Sequence, residues 1–188
     1  MKNTMKIPKN AKKVFTGVLF DVYQWPQKMF DGTFKTFEKL SRKHSIQVLA
    51  ITTDKKIIVL KEQHPDIKPF YGVIGGGQEG KETPLQTAKR ELQEETGYTA
   101  KKWELIDVET PSSKLDWTIY TYLAKDAEKT HEQKLDSGEK VEVMKVSFTE
   151  FMKYATNHNF MSTGLSFYLL KLNYHKKLGE FKKKIFDK

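Results

Sequence analysis

The stretch from Gly76 to Tyr98, GGQEGKETPLQTAKRELQEETGY, constrains the chain more than any other. It reads as a glycine loop, a capped helix and a stop. Thr83 is placed to cap the helix, Pro84 suits its first turn, and Gln86 completes a capping box. Gly97 takes the left-handed conformation that ends it. At about 100° per residue, Leu85, Ala88 and Leu92 share one face, while Glu91, Glu94 and Glu95 crowd an adjoining arc. Carboxylates so close disfavour one another's ionisation unless a cation offsets them, and all-oxygen ligands suit Mg²⁺ or Mn²⁺. An isolated ELQEE run is ordinarily a solvated acidic face. The glycines at 75 to 77, which let backbone approach a ligand closely, favour a divalent-metal site instead.

Around this segment the pattern is that of one domain. Val14 to Trp25 and Thr33 to Ser41 are rich in aromatic and β-branched residues and are joined through Asp31-Gly32, which predicts an N-terminal antiparallel ribbon. Ser45 to Thr52 and Lys56 to Leu60 read as buried strands, with a turn at Thr53-Asp54-Lys55. Trp103 to Val108, Thr118 to Ala124 and Val141 to Phe148 read as further strands, and the polar stretch from Lys125 to Lys140 as a mobile loop. Thr149 to Thr156 and Ser162 to Lys177 have helical spacing, the second with Leu165, Tyr168, Leu169 and Leu172 on one stripe.

The net charge of +9 raises a nucleic-acid partner, so its distribution matters. Residues 1 to 13 carry five lysines and no acids, and residues 171 to 188 carry seven lysines against Glu180 and Asp187, so each end contributes +5 and the body 9 − 10 = −1. A basic groove built into the fold is not indicated, and tails alone argue weakly for nucleic acid. The chain divides into a basic leader, 1–13, a single domain, 14–178, and a basic tail, 179–188. Without cysteines it has no disulfide, zinc-cysteine site or cysteine nucleophile. His44, His64, His131, His158 and His175 show no metal-ligand spacing. No segment is long and apolar enough to span a membrane, and a cytoplasmic location is the simplest expectation.

Gly76, Glu82, Arg90, Glu91, Leu92, Glu94, Glu95 and Gly97 meet every fixed position of the pattern G-x5-E-x7-R-E-U-x-E-E-x-G-U, with U apolar. At about 7% per residue type, seven fixed positions match by chance about once in 10⁸ starts. The chain therefore resembles the Nudix hydrolases; the soft departure is Tyr98, where an aliphatic residue is commoner. The resemblance implies an α+β fold, a Nudix-type α/β/α sandwich with a mixed central sheet, here with the N-terminal ribbon added. It implies that the Gly75 carbonyl joins Glu91, Glu94 and Glu95 around Mg²⁺ or Mn²⁺, and that Arg90 and Glu82 orient the loop and glutamates through a salt bridge. The chemistry implied is attack of water on phosphorus, with either a box glutamate such as Glu91 or a loop glutamate as base.

Residues 14 to 150 further resemble the ADP-ribose pyrophosphatase branch, whose members commonly work as dimers. On that register Phe37, Glu38 and Arg42 match positions that contact the nucleotide, often across the dimer interface, and Glu139, with Glu142 beside it, matches the loop glutamate proposed as base. Phe37 and Trp25 read equally well as ribbon core or as an adenine platform, and Glu139 as a solvated loop acid. Arg42, one of two arginines in a lysine-biased chain, reads better as a phosphate or ribose contact. His64 stands where an arginine is common and Ile74 where a proline is usual. TPSSKLDW replaces an S-P-G run, with Ser113 at the diagnostic place and Asp116 near the expected acid. These departures widen the expected substrate from ADP-ribose to a nucleoside diphosphate linked to another moiety, hydrolysed by a homodimer. The alternatives are nucleoside triphosphates, dinucleotides or RNA ends, or a non-catalytic nucleotide sensor.

Overall fold

The computed structural model describes residues 6–187; the first five residues of the basic leader and the final Lys188 lie outside the described residues. The chain opens with β1 (Lys12–Thr16), β2 (Asp21–Lys28) and β3 (Phe34–Ser41). The ribbon is thus built from three strands rather than two. Gly17 turns the chain, its N–H donating to Phe20 O at 2.9 Å, so Val14 and Trp25 fall on different strands. The second turn is closed as Asp31-Gly32 predicts: Gly32 has φ 86°, and Asp31 Oδ1 accepts from the Thr33 N–H at 2.9 Å.

The central sheet begins with β4 (Ser45–Thr52) and β5 (Ile57–Gln63), followed by the short β6 (Phe70–Gly72) and β7 (Ile74–Gly77), α1 (Pro84–Thr96) and β8 (Tyr98–Thr99). Then come β9 (Lys102–Glu109), β10 (Leu115–Asp116), β11 (Ile119–Lys129) and β12 (Lys140–Val146). The main sheet runs β12-β5-β4-β11-β8, with β6 on β5, β7 on β4 and β9 on β11; β4 and β11 pair parallel and the other pairs are antiparallel. A second sheet, β1-β2-β3-β10, holds the ribbon. The charged stretch expected as a loop from Lys125 is strand as far as Lys129, because β11 resumes its ladder with β4 after an irregularity that pairs buried Ala127 with Thr52.

The apolar runs of β4 and β5 are buried on both faces, as strands between two helical layers must be. Ile46, Val48, Ala50, Ile58 and Leu60 form one core with Ala88 and Leu92 of α1. Leu49, Ile51, Ile57 and Val59 form the other, against α2 (Phe148–Ala155), α3 (Thr163–Tyr174) and α4 (Leu178–Phe186). The result is the expected α/β/α sandwich on a mixed sheet. No helix among the described residues is long and apolar enough to cross a membrane.

The terminal lysine-rich segment is not a loose tail. It is α4, whose Phe181 and Ile185, four residues apart, are 5% and 0% exposed in the lower core. Lys55 Nζ and Lys125 Nζ donate to the carbonyls of Phe186 and Lys184 at its C-terminal end, where cations suit the helix dipole. Phe181→Ala should therefore lower stability by about 3–5 kcal/mol, read as a fall in urea midpoint. A triple Lys182, Lys183, Lys184→Gln variant should stay within about 1 kcal/mol of the parent.

Candidate functional site

The glycine strand β7 and helix α1 face each other across one cleft. Thr83 and Gln86 form both bonds of the capping box, Pro84 opens the helix, and Gly97 ends it at φ 73° with its N–H on Gln93 O at 2.8 Å. Pairing with β4 fixes Gly75 opposite Gln47 and Gly76 opposite Ile46. A Cβ on Gly76 would run into the Glu91 carboxylate, so glycine here is a matter of space.

Arg90 holds the acidic wall together. Its Nε meets Glu82 Oε1 at 2.9 Å, Nη1 meets Glu94 at 2.8 Å and Glu91 at 2.9 Å, and Nη2 donates to Gly77 O at 3.0 Å. One planar fork thus ties the glycine strand to three glutamates. Hydrogen bonding from Arg90, with help from the Glu79 N–H and Thr87, holds the Glu82 carboxyl down at about 2. Glu95 is the deepest acid, 7% exposed, and accepts from the Gly75 N–H at 3.2 Å. Burial, then repulsion from Glu62 and Glu91, raises its pKa well above the usual carboxylate range. Burial also lifts Glu91 to about 7, against the opposing pull of Arg90.

Glu62, not singled out from the sequence, is a further member of the group. Burial raises it to about 7, opposed by His64, whose Nε2 lies 3.8 Å from its carboxylate, and reinforced by Glu139. The signal was present in the strand alternation: Ile58 and Leu60 face α1, and two residues on Glu62 follows the same parity.

Gly75, Gly76, Arg90, Glu91, Glu94 and Glu95 line a cleft of about 540 Å³, whose far wall includes Lys134, Asp136 and Glu139 of the β11–β12 loop. Glu139 thus shares the cleft with the helix carboxylates. Glu142 does not: it is 65% exposed on β12, pairing with Lys61 at 3.3 Å. Phe37 and Glu38 border a separate depression of about 440 Å³ on the ribbon, with Lys114 Nζ 5.0 Å from the Phe37 ring centroid. Glu38 accepts from Gln24 at 2.7 Å. Trp25 is buried against Phe37, with ring centroids 6.1 Å apart. Arg42 lies 4.6 Å from the Trp117 ring centroid and 5.5 Å from that of Phe20, its buried Nε without a hydrogen-bond partner. Within one chain, Phe37 and Glu38 therefore border a different depression from the one that the carboxylates line.

Among the described residues no three histidine, cysteine, aspartate or glutamate side chains already converge as a cation cage; Arg90 draws Glu91 and Glu94 to itself. The donor set nonetheless fits a hard divalent ion. It is all oxygen, it sits in an open cleft, and it contains buried carboxylates whose repulsion and desolvation a cation would offset.

A model of the NUDIX domain matches residues 42–164. An ADP-ribose pyrophosphatase of Bacillus subtilis (strain 168) is 33% identical over 145 residues, 76% of this chain and 78% of that protein. A methanol dehydrogenase activator of Bacillus methanolicus is 29% identical over 147 residues, 77% of this chain and 80% of that protein. In fold the chain is similar to a crystallographically determined ADP compounds hydrolase, with a TM-score of 0.71 at 17% identity, covering 94% of this chain and 100% of the other.

Proposed function

The chain belongs to the NUDIX family and is a pyrophosphohydrolase of the ADP-ribose pyrophosphatase-like kind, and from that premise we propose that it uses Mg²⁺, or Mn²⁺, to split the pyrophosphate bond of a nucleoside diphosphate linked to another moiety, releasing a nucleoside monophosphate. The observation that carries this reading is the single cleft lined by Gly75, Glu91, Glu94, Glu95 and Glu139. The three helix glutamates and the Gly75 carbonyl would hold the metal. A divalent ion held there would supply charge neutralisation for the diphosphate oxygens and a more acidic attacking water. Glu139 takes the water proton as the new oxygen–phosphorus bond forms and the bond to the bridging oxygen breaks. Arg90 keeps Glu91 and Glu94 in register and does not touch substrate.

Initial rates on ADP-ribose, nucleotide sugars, dinucleotides and nucleoside triphosphates with Mg²⁺, with products identified, test the substrate class. The expected result is a nucleoside monophosphate from diphosphate-linked compounds; dominant triphosphate hydrolysis would discard the branch. Glu139→Gln should lower kcat by about 10²–10⁴, and Glu142→Gln should change it less than about twofold, as expected of a solvated group. An unaffected Glu139→Gln variant would return the base to the box.

Exposed Val14, Phe15, Val18, Leu19 and Phe34 on and beside the ribbon support a homodimer in which the ribbon of one copy reaches the cleft of the other. Light scattering reporting a single chain's mass at micromolar concentration would remove that part of the reading.

The pKa directions add a pH dependence. Glu91, lifted from 4.5 to about 7, and Glu95, also raised well above the usual carboxylate range, leave the folded metal-free chain holding more protons than the unfolded chain across that interval. These groups therefore take stability away as pH rises through the interval, and a bound cation restores it by displacing the protons. The gain in Tm on adding Mg²⁺ should be larger at about pH 8 than at about pH 6; an equal gain at both would contradict the assignment.

A further inference from the structure

The loop between β11 and β12 is fastened to the C-terminal end of α1. Thr130 and His131 N–H groups donate to Gly97 O at 2.9 and 3.0 Å, and the Lys134 N–H donates to Glu94 O at 2.8 Å. The Gln133 side-chain amide bridges Glu95 O at 2.7 Å and Val141 O at 3.2 Å. The Glu94 and Glu95 carbonyls belong to the last turn of α1, where acceptors have no partner within the helix. The loop supplies those partners, so its position is tied to the residues whose side chains form the acidic wall. Gly97 allows this approach, since a Cβ there would strike the His131 carbonyl.

The consequence falls on Lys134. The cleft is lined by acids and by two cations, Arg90 and Lys134. Arg90 is committed to Glu82, Glu91, Glu94 and Gly77. Lys134 is exposed, its backbone is anchored, and among the described residues no carboxylate forms an ion pair with its ammonium. A diphosphate entering an acid-lined cleft needs positive charge beyond what the carboxylates themselves bind, and lysine offers it as a mobile point charge.

We propose that Lys134 is a substrate-binding residue whose ammonium contacts the diphosphate, and that Gln133 is the positioning residue that latches its loop to α1. The proposal rests on the reading that this cleft takes a nucleoside diphosphate derivative.

The test uses full-length protein with Mg²⁺, titrated calorimetrically with α,β-methylene-ADP and separately with adenosine, alongside steady-state kinetics. Lys134→Gln should weaken the methylene analogue and raise KM by roughly tenfold, the size expected for loss of one charged hydrogen bond. It should leave kcat, adenosine affinity and Mn²⁺ affinity within about twofold. Lys134→Arg should recover most of the loss. Raising salt should weaken analogue binding more in the parent than in Lys134→Gln, a difference a purely structural role would not produce. Gln133→Ala should raise KM in the same direction without altering adenosine affinity. Parent-like affinity, KM and salt dependence in Lys134→Gln would overturn the proposal. If the parent itself neither binds the analogue nor hydrolyses any diphosphate-linked substrate, it is the functional reading that fails.

Discussion

Replacing both Glu91 and Glu95 by glutamine should lower Mg²⁺-dependent turnover by roughly three orders of magnitude or more, and at the same time stabilise the metal-free protein. The expected loss follows from removing two of the charges proposed to hold the cation: metal stabilisation of a phosphoryl transition state is worth several kcal/mol, and about 1.4 kcal/mol is a factor of ten. The gain follows from the burial that makes these acids reluctant to ionise. Raising Glu91 from 4.5 to about 7 corresponds to roughly 3 kcal/mol of unfavourable ionisation above pH 7, an upper bound for a partly solvated group. Glutamine keeps the shape and still accepts the Gly75 N–H that Glu95 holds. The expected result is a higher urea midpoint in EDTA, by about 1–3 kcal/mol, with turnover near background. Normal turnover in the double variant would rule this site out. A lower midpoint would show that the carboxylates contribute to the fold rather than strain it.

Arg90→Met should differ in stability, losing both stability and activity. The guanidinium serves Glu82, Glu91, Glu94 and the Gly77 carbonyl at once. Its removal leaves three partly buried carboxylates facing one another, which costs about 3 kcal/mol, the lower end for breaking a buried ion pair because Arg90 retains some solvent. Arg90→Lys should recover little, since one ammonium cannot reach Glu82 on one side, Glu94 on the other and the glycine strand between them. The Glu82 contact also sets an acid limit. Its carboxyl is held at about 2 against an ordinary 4.5, so the stabilisation is present above 4.5 and fades as pH falls toward 2. Chemical denaturation of the parent, Arg90→Met and Arg90→Lys at neutral pH checks the ordering; equal midpoints for parent and Arg90→Met would remove Arg90 from the centre of the site.

The parts of the fold that could be read in the sequence are those in which local chemistry and tertiary packing agree. The α1 helix carries its own start and stop in Thr83, Gln86 and Gly97, and the unbroken apolar runs of β4 and β5 declare strands buried on both faces. The α4 helix was hidden because its apolar stripe is short, with Phe181 and Ile185 set among lysines that dominate any charge count. The Gly17 turn is not legible because the aromatic and β-branched residues on either side look continuous, and only a pairing partner shows where the strand breaks. At the site, the Glu82–Arg90 pair is one that the resemblance to the Nudix box implies. The reach of Arg90 to Gly77 and the arrival of Glu62 from β5 depend on how the sheet sets β7 and β5 beside α1. Phe37 and Glu38 show a different kind of gap: their chemistry suits a nucleotide, yet one chain puts them on a surface apart from the carboxylates.

The central claim is that the acids of α1, beside the glycine strand, hold a divalent cation. The most direct measurement is a Mn²⁺ titration of metal-free protein at about pH 8, above the value of about 7 to which burial lifts Glu91, followed by the electron paramagnetic resonance signal of free aqueous Mn²⁺. The account predicts that the parent depletes that signal in proportion to protein added, and that the Glu91→Gln, Glu95→Gln variant leaves it as in buffer alone. Equal depletion by the two proteins, or none by the parent, would contradict it.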